Sequence, residues 1–451
     1  MRESFIFTLL VVIVVVIYAW ILYIGLKPAV ANFKENQKNG QINYNTNEPI
    51  QYETIKENLD KYDEIPCTPC GIKVNGDLTN NSPILTPHNK LAYLRPNSSG
   101  EIVVPHGEWV KMRCGDAFSK PYTGQTLDAQ CAGGKDFRIN GEIVNFEHIN
   151  CTTISMPTPM RTGSPCKGGT EWLDFGIKFG DSLLPTMRTC FDRLRQTTPY
   201  AIHTIDPASM NFKHGVKSKN TSSGDFFDDK NVDMFFERKR QIKTLTRIVG
   251  RVASTYITDK NYLSRGHVVA KADCVFSGQQ KGTYHYVNMA PQWQSFNNGN
   301  WSCIEDGVRK FAHDHNTTLL CCTGTWCICT LPDVNNVQQE IYLKYDEQND
   351  TRKVPVPKFF FRIVIDESTR RGIALVGVNN PYLTIEEVEN GGYVIAEDVS
   401  HNINWINWER KNIEKGYCYA CSVPNFVAIV KDLPLAMLET TGILGLEELP
   451  I

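Results

Sequence analysis

The hydrophobic and polar positions of the chain fall into four regimes. Phe5 to Leu26 is an uncharged apolar run of 22 residues, long enough at about 1.5 Å per residue to cross a bilayer as a helix. Asn32 to Asp63 is rich in Asn, Glu and Lys, has no apolar periodicity and reads as a linker. From Pro66 to about Lys167, short β-like runs such as Gly100 to Val104 and Gly107 to Met112 alternate with Gly, Pro and Asn, which predicts a small β module. From Glu171 the pattern is mixed. A helical window around Gly180 to Arg195 and strand runs Lys358 to Asp366 and Gly372 to Val378 predict an α+β domain with a mixed sheet and helices. The resulting division is 1–31 signal or anchor, 32–63 linker, 64–170 Cys-rich module and 171–440 main domain.

One unit of the main domain stands out. Tyr262 to Lys271 reads as a strand, and Thr283 to Met289 as a second whose alternation places Tyr284, Tyr286 and Asn288 on one face. A polar Asn/Gly segment follows Pro291. A helix is then predicted from near Asn300, which would cap it, with Trp301, Ile304, Val308, Phe311 and Ala312 on its core face. Glu305 and Arg309 share another face, four residues apart.

Composition narrows the class. With 451 residues, 41% hydrophobic and 21% charged, the chain can close ordinary cores in two or three domains, which excludes disorder, collagen and coiled coil. A net charge of −2 gives no whole-molecule attraction to polyanions. The distribution is uneven, however: Lys230 to Lys310 holds 13 cations and 6 acids. Arg238, Lys239, Arg240, Lys243, Arg247 and Arg251 have no acid among them. Such a run is a solvated helix face or, if functional, the footprint of a polyanion site.

Seven Asn-x-Ser/Thr sequons begin at Asn80, Asn97, Asn150, Asn220, Asn300, Asn316 and Asn349, and there are 15 cysteines. Both point to the secretory lumen or the cell exterior. Ala29-Val30-Ala31 offers a signal-peptidase site, whereas Lys27, Lys34 and Lys38 would orient an uncleaved anchor with its C-terminus in the cytosol. This conflict favours a cleaved signal over a type II anchor. Membrane contact is then confined to an uncleaved N-terminal segment. Cys67-x-x-Cys70, Cys418-x-x-Cys421 and the group Cys321, Cys322, Cys327, Cys329 read as disulfide cysteines ahead of zinc ligands. The chain carries no signal of oligomeric state.

Phosphodiester hydrolysis requires a base for water, a divalent ion to neutralise charge, and cations that hold phosphate. His267 can be the base, since an imidazole is substantially neutral near pH 7. Asn297 can be the one protein ligand of Mg²⁺, which keeps several of its waters, and Arg265 and Arg309 can clamp phosphate. Taken singly, His267 is a surface or core histidine, Asn297 a turn residue and Glu305–Arg309 a helix-surface ion pair. Their order is more informative. Ser264-Arg265-Gly266-His267, Asn288-Met289-Ala290-Pro291-Gln292, Asn297-Asn298-Gly299-Asn300-Trp301 and Ile304-Glu305-x-x-x-Arg309 resemble the signature of the DNA/RNA non-specific endonucleases with a ββα-metal core. The stretch looks most like the secreted insect nucleases that degrade double-stranded RNA and DNA, in which a similar Cys-rich module precedes the nuclease domain.

The resemblance implies an α+β, ββα-metal nuclease acting on DNA and RNA through backbone contacts and leaving 5′-phosphate ends. His267 would be the general base and Asn297 the ligand of Mg²⁺, or of Mn²⁺ in its place. Glu305 would orient water at the ion, Asn288 would position His267 or the phosphate, and Arg265 and Arg309 would contact phosphate. The six-cation run would line the substrate groove. Where many members have Asp as the first residue of the four-residue motif, this chain has Ser264. That departure, together with a glycan at Asn300, would suit a catalytically inactive nucleic-acid-binding glycoprotein of the same fold. An adhesive protein working through its N-terminal module is a third class.

Overall fold

The computed structural model describes residues 68–166, 170–217, 221–431, 433–434, 437 and 440–444. The apolar N-terminal run, the linker, Cys67 and the sequon at Asn220 lie outside the described residues. The chain from Pro66 onward forms one compact unit. Among the described residues no helix is long and apolar enough to cross a membrane.

Residues 84–145 form a five-stranded antiparallel sheet in the order Ile84–Pro87, Trp109–Arg113, Thr126–Gly133, Asp136–Ile139 and Glu142–Asn145. Alternation buries one face: Val110 and Met112 point inward on one strand, Phe137 and Ile139 on another. Disulfides Cys70–Cys131 and Cys114–Cys151 staple it. Ala208 and Val275, from the later chain, complete its core.

The larger sheet has nine strands. Along its main path run Cys418–Cys421, Arg371–Val378, Pro357–Asp366, Leu319–Ile328, Thr197–Ile205, Ser182–Asp192, Glu171–Phe179 and Thr158–Pro165, with Gly442–Ile443 parallel to Arg371–Val378. Both faces of Pro357–Asp366 are buried, because the longer helices cover one side, and the short helices Ile385–Asn390 and Val423–Ile429 with irregular chain cover the other. Phe360 and Val364 enter the core shared with the helices, while Phe359, Phe361 and Ile363 enter the opposite one. Arg362 lies two residues from each of Phe360 and Val364, and so faces the helical side. Cys166–Cys190 ties the turn region before Glu171–Phe179 to Ser182–Asp192.

The helical window at Gly180 to Arg195 is instead the strand Ser182–Asp192. A bulge between Pro185 and Met187 shifts the register, so Leu184, Met187 and Cys190 are buried at a three-residue spacing that mimics a helix. The cysteine expectation also divides. Cys70 is paired, but Cys321, Cys322, Cys329, Cys418 and Cys421 are buried thiols without disulfides. Cys321 and Cys322 are adjacent in one strand and face opposite cores.

Candidate active site

The helix α1, Arg238–Val249, buries Gln241, Thr244, Leu245 and Val249 and turns its cations outward. Gln241 grips the chain at the head of the next strand. Its Oε1 accepts from Leu263 N at 3.0 Å, and its Nε2 donates to Leu263 O at 2.8 Å. The strand Leu263–His267 then pairs antiparallel with Met289–Trp293, placing Ser264 opposite Gln292 and His267 opposite Met289. The partner strand thus begins where the sequence pattern predicted it to end, because Tyr286–Asn288 form a 3₁₀ turn. Gly266 is required by this pairing: a Cβ there would lie 2.3 Å from Gln292 Oε1.

Asn288, completely buried, fixes the chain just beyond His267. Its Oδ1 accepts from Val269 N at 2.9 Å, and its Nδ2 donates to Val269 O at 3.0 Å and to Thr283 O at 3.1 Å. His267 is half-buried with its ring edge-on to Tyr284, centroids 5.1 Å apart. Its Nε2 is itself buried and has no hydrogen-bond partner among the described residues. Burial, with the Lys271 ammonium nearby, pushes the imidazole down to about 4. His267 is therefore neutral at any ordinary working pH, the state a base requires.

At the other end of the strand, Ser264 Oγ donates to Gln292 O at 2.9 Å and accepts from Asn297 Nδ2 at 3.1 Å. The hydroxyl performs both tasks at once, whereas an ionised carboxylate could only accept. Asn297 opens a π-turn, Asn297–Trp301, that leads into the helix α2, Ser302–Asp314. Asn300 does not cap α2. It is 1% exposed, with Nδ2 donating to Glu409 O at 2.9 Å and Gly416 O at 2.7 Å, while Oδ1 accepts from Glu409 N at 2.9 Å. A side chain so enclosed cannot carry a glycan in the folded protein.

Glu305 and Arg309 do not form the expected surface pair. Arg309 is 4% exposed; its Nη1 donates to Asp273 at 2.9 Å and its Nη2 to Asp306. With both ends engaged and the side chain buried, Arg309 is not presented to a phosphate. Asp273 also accepts from His203 Nε2 at 2.9 Å and from Arg362 Nη2. Burial alone would raise the Asp273 carboxyl, but Arg362, His203 and Arg309 outweigh it and hold it well below the usual carboxylate range. Burial pushes the Glu305 carboxyl up to about 7, with Arg362 and Arg309 opposing and Asp273 and Asp306 assisting. Sequence reasoning missed Asp273, His203 and Arg362. They are far apart in the chain and none falls within a motif.

Residues 173–426, more than half of the chain, match the model of the DNA/RNA non-specific endonucleases. The chain belongs to that family. Its members are metal-dependent nucleases. A salivary endonuclease of Lutzomyia longipalpis is 27% identical over 308 residues, covering 66% of this chain and 70% of that protein. The salivary protein Tsal2A of Glossina morsitans morsitans is 22% identical over 375 residues, covering 81% and 92% respectively. Among solved structures, one of the EndoG/EndoGI complex matches 45% of this chain and 74% of its own, at 19% identity and a TM-score of 0.27.

The donor set can be tested against the family's metal. Among the described residues no group of three His, Cys, Asp or Glu side chains could hold an ion. Asn297 would provide a different kind of site. Ser264 fixes its amide nitrogen, and its carbonyl oxygen takes no hydrogen bond among the described residues. One neutral oxygen suits a hard ion that keeps most of its waters, so the residues present fit Mg²⁺.

Arg265 stands between Ser264 and His267 on the same strand. Arg265 is partly exposed, with Nε donating to Tyr286 Oη at 2.9 Å and Nη2 to Asp233 at 2.6 Å. Its Nη1 has no hydrogen bond among the described residues. On α1, Lys239, Lys243 and Arg247 are exposed and four residues apart, which aligns them in one stripe. Arg251 follows in a 3₁₀ turn, and Arg240 is half-buried beside them. Arg238 is already paired with Asp259 at 2.5 Å. The other five have no ion pair among the described residues.

Proposed function

We propose that the protein is a secreted endonuclease that hydrolyses the phosphodiester backbone of DNA and RNA, double-stranded RNA included, with Mg²⁺ and with Mn²⁺ in its place. The products are 5′-phosphates and 3′-hydroxyls. Secretion is supported by the sequons, by the three disulfides among the described residues and by relatives whose names are salivary.

A divalent ion at Asn297 supplies neutralisation of charge on the phosphate and on the departing oxygen. The His267 imidazole takes a proton from the attacking water as its oxygen bonds to phosphorus and the P–O3′ bond breaks, and the departing 3′ oxygen takes a proton from solvent water. Asn288 holds the chain that orients His267, Glu305 orients water, and Arg265 meets a phosphate oxygen through Nη1. Arg309 supports Glu305 from beneath. Lys239, Arg240, Lys243, Arg247 and Arg251 hold the backbone on either side of the scissile bond, with Arg238 at the end of the stripe. No base edge is read by such contacts.

One observation carries this reading: Asn297 is tethered through Ser264 to the strand that ends in His267 with an unpartnered Nε2. Against a binding-only glycoprotein stand the hydrogen bond from Asn297 to Ser264 and the burial of Asn300. Incubation of purified protein with plasmid DNA and long double-stranded RNA, with Mg²⁺ or chelator, tests it. Cleavage is expected only with the ion, and His267→Ala is expected to lower kcat by about 10³-fold. Full cleavage by that variant would discard the mechanism.

A further inference from the structure

Four elements converge beneath Glu305. Asp273, in the 3₁₀ turn Lys271–Asp273, has no exposed side-chain surface. It receives Arg309 from α2, Arg362 from the middle of the large sheet and His203 from Thr197–Ile205, two strands away across Leu319–Ile328. Ser209 Oγ fixes its backbone by donating to Asp273 O at 3.0 Å.

We propose that Asp273 is a positioning residue of the nuclease reaction, acting through Arg309 to hold the Glu305 carboxyl at its working position. The proposal rests on the reading above. Two observations and one general consideration carry it. Arg309 lies one helical turn beyond Glu305 on α2, so fixing the guanidinium fixes the face on which the carboxyl stands. Asp273 closes the short segment that leaves His267, and Asn288 clamps that segment at Val269. The base and the acid are thereby referred to one rigid stretch of chain. Finally, a buried charge cluster adds little net stability over an apolar one of the same volume. What this cluster supplies is fixed geometry, with two guanidiniums held against one carboxylate so that neither is free to capture Glu305.

The test is a double-mutant cycle on kcat, measured on the full chain with Mg²⁺ and a defined RNA duplex. Asp273→Asn is expected to lower kcat by about 10²-fold, the scale of a displacement of roughly 1 Å at a reacting group, with KM changed by less than about threefold. Arg309→Met is expected to do the same. The double variant is expected to be no worse than the weaker single, because residues acting through one another are not additive. A kcat for Asp273→Asn within about threefold of wild type, or losses that multiply in the double variant, overturns the proposal. Should Asp273→Asn fail to fold, Asp273→Glu keeps the charge and displaces it by one methylene; a loss in kcat of at least about tenfold at unchanged KM supports the proposal, and wild-type kcat overturns it. No cleavage by the wild-type protein would sink the underlying reading and this inference with it. Cleavage with multiplying losses would sink only the inference.

Discussion

The two ends of the site are built from different materials. Around Asn297 the scaffold is neutral: a serine hydroxyl, a carboxamide and backbone groups, joined by hydrogen bonds between 2.7 and 3.1 Å. Around Glu305 it is charged, with Asp273 collecting Arg309, Arg362 and His203 out of contact with water. A neutral bond that is lost costs one unsatisfied group, whereas a buried ion left alone costs far more. The Asn297 end should therefore tolerate change that the Glu305 end does not.

The largest expected effect follows from that contrast. Arg362→Met removes a completely buried cation from a carboxylate that still needs it, so unfolding free energy should fall by about 3 kcal/mol or more. Asn300→Ala removes the hydrogen bonds to Glu409 and Gly416 and should cost about 2 kcal/mol. Urea titration with an unchanged m-value would measure both. Equal costs would break the comparison.

Next comes pH. Because the Glu305 carboxyl stands at about 7 without an ion, and a divalent cation can only pull it down, kcat/KM should rise with pH along a limb centred at or below about 7. Glu305→Gln should abolish that limb. His267, at about 4, adds no limb above about pH 5. For stability the signs oppose. Glu305 has its folded value raised from 4.5, so its contribution is present below that value and is lost as pH rises through about 7. His267 and His285 are lowered from 6.5 to about 4, so theirs is present above 6.5 and is lost as pH falls through about 4. A melting temperature that rises from pH 4 to pH 6 would show the two histidines outweighing the one acid.

Ser264→Ala probes the neutral end alone. It unfastens Asn297 and removes the hydroxyl's own bond to Gln292 O, at about 1 kcal/mol in stability. Activity should fall about tenfold, with the Mg²⁺ concentration for half-maximal rate rising, since only the orientation of the ligand is lost. Wild-type Mg²⁺ dependence in this variant would deny the tether its role.

The same division decides what could be read from the chain. The neutral end is local: Ser264, His267, Asn288 and Asn297 fall within a few tens of residues, and a fixed spacing of such residue types is visible in sequence. Strand Pro357–Asp366 was equally legible, since Phe359 to Ile365 is apolar at every position but Arg362. Arg362 in the midst of that run was the one hint of the charged end, because a cation there must find a buried partner. Which partner could not be read, since Asp273 and His203 lie 89 and 159 residues away in sequence. Ser182–Asp192 was misread for a different reason. A bulge altered its period, and bulges leave no compositional mark.

The smallest effect concerns charges that remain in water. Lys239, Lys243 and Arg247 are exposed on α1, and the Debye length at physiological salt is about 8 Å, so each contributes little beyond direct contact with a phosphate. A contact of that kind releases one counterion, and log K for an inactive His267→Ala protein binding duplex should fall linearly with log salt. Lys243→Ala and Arg247→Ala should each reduce that slope by about 1, lower affinity alike for DNA and RNA, and leave the melting temperature unchanged. Asp273→Asn should do the reverse, lowering the melting temperature without altering the slope, because its partners are screened by protein and not by salt. Were the α1 variants to leave the slope intact, the stripe would be a solvated helix face, and the phosphate contacts would have to be sought near Arg265.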